Sequence, residues 1–144
     1  MMKRLIACAS IVFGLLAASV APSLAASLVA KVSISNQTMT VIHQGKEKYH
    51  WKVSTARAGK VTPQGEWTAK QFKRFHRSSR YYNAPMPYSI FYNGNFAIHG
   101  TNQLSKLGSP ASAGCIRLSK ANAAKLFRLA KRAGRSNTLV VVEH

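Results

Sequence analysis

The chain has 144 residues, 21 of them Lys or Arg and three acidic (Glu47, Glu66 and Glu143), for a formal charge of +18. Aspartate is missing altogether. That excludes a triad completed by aspartate and argues against paired-carboxylate glycoside hydrolysis and acidic calcium or magnesium sites. The chain starts with a secretion signal by pattern: Lys3-Arg4, an apolar run from Leu5 to Val20, and Ser23-Leu24-Ala25 before the expected cleavage at Ala26. The run is short, rich in small residues and followed by Pro22, which argues against a membrane anchor. Cys8 lies ahead of most of the apolar stretch, the wrong side for a lipoprotein cysteine. Residues 1–25 are therefore read as a signal peptide and 26–144 as one domain, exported to the periplasm or cell wall. Loss of Lys3 and Arg4 leaves 19 basic residues against the same three acids. Loss of Cys8 leaves Cys115 as the one thiol.

Residues 28–35 alternate in polarity from Ala30 onward, and Met39-Thr40-Val41-Ile42 is rich in β-formers, with Asn36-Gln37 as the turn between them. Gly45-Lys46 marks a second turn before the alternating Tyr49 to Ser54, which makes a small antiparallel meander. Residues 58–65 form a loop by their Gly and Pro content, and residues 66–70 begin a further strand. From Lys70 to Tyr88 basic and aromatic residues interleave, a composition suited to a single-stranded nucleic-acid groove, to a loop over a cleft, or to a solvated loop anchored by its aromatics. Asn93-Gly94 predicts a hairpin turn between Ser89 and Ile98. Ser119 is placed to cap a helix whose apolar spacing runs through Ala123, Leu126, Phe127 and Ala130 and which stops at Gly134. Residues 138–142 read as a last buried strand. The class is mainly β with one helix.

Cys115 and His99 carry the chemistry. A lone thiol in an exported protein is either a small buried hydrophobe or a reactive group. Here Gly114 precedes it, Arg117 follows, and a histidine lies sixteen positions upstream. Acyl transfer from an amide needs a nucleophile, a proton carrier and donors for the developing oxyanion. Cys115 suits the first, His99 the second, and the main-chain N–H groups of Gly114 and Cys115 the third. Arg117 shares a face with position 115 if the segment is extended, where it can hold a carboxylate bidentately. His43, His50, His76 and His144 show no metal-ligand spacing, and no metal or cofactor is expected.

His99-Gly100-Thr101 followed by Ser112-Ala113-Gly114-Cys115-Ile116-Arg117-Leu118 resembles the signature of the L,D-transpeptidases, the YkuD-like catalytic domain of peptidoglycan enzymes. The resemblance extends to Gln37–Val41, to Thr62-Pro63-Gln64-Gly65 and to Met86-Pro87-Tyr88, so it covers nearly the whole chain after the leader. It implies a mixed β-sandwich with a helix flanking the site after the catalytic cysteine. It implies the Gly100 carbonyl as the group that orients His99, and residues 70–88 as a lid whose tyrosines, Tyr88 among them, line the donor site. Ser112 is expected to bond backbone or substrate, mainly as a structural residue, and Thr62, Pro63 and Gly65 are given structural roles. Ala113 departs from the common pattern, which carries histidine there.

The implied reaction is cysteine-dependent acyl transfer from the third residue of a tetrapeptide stem to an amine, giving a 3-3 cross-link and free D-alanine. Hydrolysis of the same acyl-enzyme makes an L,D-carboxypeptidase, and transfer to a protein amine is a third outcome. The expected partners are peptidoglycan stem peptides and anionic envelope polymers rather than nucleic acid, with the protein a monomer. The rival from another class is a secreted cationic binding module in which Cys115 is a spectator.

Overall fold

A computed structural model describes residues 26–144; the signal-peptide expectation lies outside the described residues. Two mixed sheets face each other across one apolar core. Strands β1 (Leu28–Ser33), β2 (Thr38–His43) and β3 (Lys46–Lys52) form the expected meander. Gln37 closes the first turn with a positive φ of 52°. Its side chain is spent inside: Nε2 donates to the Ile34 carbonyl at 2.7 Å and to Thr55 Oγ1 at 2.6 Å, and Oε1 accepts the Thr55 N–H at 2.9 Å. The meander is extended by β9 (Thr138–Glu143), parallel to β1, and by β4 (Gly65–Thr68), antiparallel to β9, in the order β3-β2-β1-β9-β4.

The second sheet runs β5 (Gln71–Lys73), β6 (Ser89–Asn93), β7 (Phe96–Thr101), β8 (Ile116–Ser119). Its last pair is parallel, with His99 opposite Arg117. A single strand over residues 66–70 is not what forms. The chain leaves the first sheet after Thr68: the Ala69 N–H still bonds the Thr138 carbonyl, but the Lys70 N–H already bonds Phe91 of β6. Two residues suffice to change sheets because each finds a new carbonyl at once, so no buried donor is stranded.

The buried positions of β1, β2 and β9 (Leu28, Ala30, Val32, Met39, Val41, Val140, Val142) meet Ile90, Tyr92, Ile98, Ile116 and Leu118 of the other sheet. Helix α1 (Lys120–Ala133) closes one side with Ala123, Leu126, Phe127 and Ala130. Ser119 caps it as the sequence predicts, its hydroxyl accepting the Asn122 N–H at 3.2 Å, and Lys131 and Arg132 sit in the last turn, where cations favour the helix dipole. Gly134 ends the helix at φ 87°. Among the described residues one ion pair forms, Lys31 to Glu143 at 3.2 Å, so most of the positive charge is unpaired. No helix among them is long and apolar enough to cross a membrane.

Candidate active site

The ends of β7 and β8 and the segment before β8 open into a cavity of about 980 Å³. It is lined by His99, Ser112, Ala113, Cys115 and Arg117, with Asn95, Phe96 and Lys120 beside them. Residues 75–82 and 84–87 line it as well. Arg57, Arg77, Arg80, Arg117 and Lys120 all face this space and no carboxylate does, so it suits an anionic ligand. Among the described residues no group of His, Cys, Asp or Glu is arranged to hold a metal.

His99 is buried on β7, and its Nδ1 bonds the Gly100 carbonyl at 2.8 Å. A carbonyl only accepts, so Nδ1 carries the proton and Nε2 keeps its lone pair. Burial pushes the imidazole down to about 4; the Gly100 bond opposes this, and Arg117 and His76 add to it. The ring is therefore neutral at pH 7, a proton acceptor by charge and by tautomer. Gly100 is tightly packed: a Cβ there would lie 3.0 Å from the Lys120 Cα and 3.2 Å from Pro87, so a side chain would require its neighbours to shift.

Cys115 is half-buried at the entry to β8. Burial raises its thiol above the usual value, more than the Ala97 backbone bond and the Arg117 charge lower it. The thiol donates weakly to the Asn95 carbonyl at 3.8 Å. The resting pair is thus neutral thiol and neutral imidazole rather than thiolate and imidazolium. Arg117 is half-buried with its Nη1 donating to Gln103 Oε1 at 3.1 Å, and burial lowers it as the nearby Cys115 and Arg57 act in opposite directions.

The loop before the thiol is fixed by two hydroxyls. Ser112 Oγ donates to the Cys115 carbonyl at 2.6 Å and accepts the Gly114 N–H at 3.0 Å. Thr62 Oγ1 donates to the Gly114 carbonyl at 2.8 Å and accepts the Ala56 N–H at 2.9 Å. The Gly114 N–H, expected beside that of Cys115 as an oxyanion donor, is therefore occupied, because the tight loop folds it back on Ser112. Ser112 is fully buried with its hydroxyl engaged twice, which leaves it framing the loop rather than meeting substrate. Gly114 has φ 136°, and a Cβ on it would lie 2.7 Å from the Phe96 ring and 2.8 Å from the Val61 carbonyl. Gly114→Ala is expected to cost about 2–4 kcal/mol from strain and overpacking together; urea unfolding of the variant measures it.

Tyr88 does not reach the cavity. Its positive φ of 56° turns the side chain inward, where the ring meets Phe127 edge-on at 5.7 Å. Tyr81 and Tyr82 take the wall position instead. Residues 76–86 of this segment form a narrow β-like finger, with Arg77 bridged to Pro85, the Met86 N–H on the His76 carbonyl and the Ser78 N–H on the Ala84 carbonyl. Phe75 and Tyr82 stand in solvent, so these aromatics do not anchor the finger. His76 faces the cavity, with its ring edge against Phe91 at 5.1 Å. No motif announced it or Arg57; only the path of the finger and the Ser112–Arg57 backbone bond bring them to the site.

Two mixed sheets thus bring a thiol, a backbone-held imidazole and a ring of cationic side chains to one cavity. The YkuD family, described as the L,D-transpeptidase catalytic domain, matches residues 27–142, and the chain belongs to it. Solved structures agree in fold. An L,D-transpeptidase from Mycobacterium smegmatis superposes with a TM-score of 0.74 at 19% identity, over 82% of this chain and 59% of that one. One from Mycobacterium tuberculosis H37Rv gives 0.73 at 25%, over 82% and 58%. One from Stackebrandtia nassauensis gives 0.72 at 25%, over 82% and 56%. The chain therefore spans somewhat under three-fifths of the length of these structures. Comparison with curated proteins finds no match.

Proposed function

We propose that this chain is an exported L,D-transpeptidase that acts on peptidoglycan stem peptides, with Cys115 as nucleophile and His99 as general base. The observation that carries the reading is the His99 Nδ1 bond to the Gly100 carbonyl, which leaves a neutral, correctly protonated imidazole in the same cavity as the one thiol among the described residues. In the first step the Cys115 sulfur bonds to the carbonyl carbon of the third stem residue, and its proton passes to His99 Nε2. The carbonyl π pair moves onto oxygen and the tetrahedral oxyanion forms. Collapse expels the terminal D-alanine, whose amine takes the proton back from His99. An amine of a second stem then attacks the thioester, His99 accepts its proton, and the thiol is regenerated as the 3-3 amide forms. Water in place of the amine gives L,D-carboxypeptidase activity from the same intermediate.

Arg117, with Arg57, Arg77 and Arg80 around the same space, supplies positive charge for stem carboxylates. The cationic surface also suits anionic envelope polymers. Incubating the protein with disaccharide-tetrapeptide tests the reading: cross-linked dimer and free D-alanine are expected by mass spectrometry. Unchanged substrate, with dimer absent and no D-alanine released, would overturn it and favour the cationic binding module.

A further inference from the structure

We infer that Thr62 is a positioning residue: its hydroxyl aims the Cys115 N–H into the cavity as the oxyanion donor. The inference rests on the acyl-transfer reading above. Thr62 is buried and lies 52 positions before Gly114, yet its hydroxyl donates to the Gly114 carbonyl at 2.8 Å while the Ala56 N–H holds it from behind at 2.9 Å. In a trans peptide the carbonyl and the following N–H point in opposite directions. Fixing the Gly114 carbonyl toward Thr62 therefore turns the Cys115 N–H away from Thr62, on the peptide that enters the nucleophile itself. The neighbouring Gly114 N–H is taken by Ser112, and the Cys115 N–H makes no hydrogen bond among the described residues. The Cys115 N–H is thus a free donor at the thiol among the described residues, and one buried hydroxyl holds the peptide that carries it.

The close approach at Gly114 supports the same geometry. The Val61 carbonyl lies 2.8 Å from where a Gly114 Cβ would be, so the residue before Thr62 packs closely beside the Gly114 Cα. Loss of the Thr62 hydroxyl leaves the Ala56 N–H and the Gly114 carbonyl both without a partner in a buried place. The peptide is then free to rotate toward whatever polar group it can find, and the donor moves with it. The cost falls on steps that build an oxyanion. A displacement at saturated carbon builds none.

The test compares two reactions of the same thiol in Thr62→Val and Thr62→Ser, with folding checked by thermal melting. Alkylation of Cys115 by iodoacetamide reads thiol access and ionisation. Acylation by a carbapenem, and tetrapeptide turnover, read oxyanion stabilisation. Thr62→Val is expected to acylate about tenfold to a hundredfold more slowly, consistent with weakening one oxyanion donor. Its alkylation rate should stay within about twofold, and turnover should fall in kcat with KM little changed. Thr62→Ser should restore most of the rate. If Thr62→Val does not fold, Thr62→Ala against Thr62→Ser asks the same question of the hydroxyl. Equal acylation in wild type and the hydroxyl-free variant, or equal loss of acylation and alkylation, overturns the inference. Wild-type protein that alkylates but never acylates instead overturns the acyl-transfer reading on which it stands.

Discussion

Carbapenem treatment of the folded protein is expected to add a single adduct, mapping to the peptide that holds Cys115. A β-lactam presents a strained amide carbonyl, and a thiol with a base beside it opens the ring and remains acylated. The adduct should be absent in Cys115→Ala. The raised thiol makes the second half of the experiment sharp. Because burial keeps Cys115 protonated at neutral pH, the proton has to leave during attack, and His99 is the neutral acceptor in the cavity. His99→Ala should therefore acylate about a hundredfold to ten-thousandfold more slowly, the usual contribution of a positioned general base. Glu47→Gln, Glu66→Gln and Glu143→Gln should each keep the wild-type rate, since none lines the cavity and the Gly100 carbonyl holds the imidazole. Stem tetrapeptide should protect. Adducts on lysine, or equal labelling without Cys115, would place the reactivity on the cationic surface.

Stability is expected to fall by about 3 kcal/mol between pH 7 and pH 4 through His99 alone, at about 1.4 kcal/mol per pKa unit. The direction follows from proton counts. In the unfolded chain the imidazole titrates near its ordinary 6.5, whereas in the fold burial holds it down to about 4. Between those values the unfolded state binds the extra proton, so acid favours unfolding. The contribution is fully present above 6.5, is lost as pH drops toward 4, and levels off below. Urea unfolding at a series of pH values measures it, with His99→Gln expected to flatten the slope. His76 is lowered in the same direction by its burial and by Lys73, so His76→Gln is the needed control. A slope in His99→Gln as steep as in wild type would show that His99 is not buried neutral. By the same shift, the acid limb of acylation should lie near pH 4 rather than 6.5.

Local chemistry made several elements legible in the sequence. Ser119 capping α1, Gly134 ending it, the Asn93-Gly94 turn and the alternation of β1 all depend on residues within a few positions of one another, where backbone preference and side-chain period decide. Residue type and order singled out His99 and Cys115 in the sequence, and the fold brings both to one cavity. Tertiary structure alone decided the rest. The parallel pairing of β1 with β9 and the change of sheet at Ala69 and Lys70 join residues far apart in the chain, for which local preference is silent. Tyr88 turned to Phe127 instead of the cavity because the core offered its ring a place there. The hydroxyl of Thr62 reached Gly114 only once two distant loops were stacked. Burial, which exists only in the folded molecule, raises the thiol and lowers the imidazole, a direction that no residue pattern in the sequence displays.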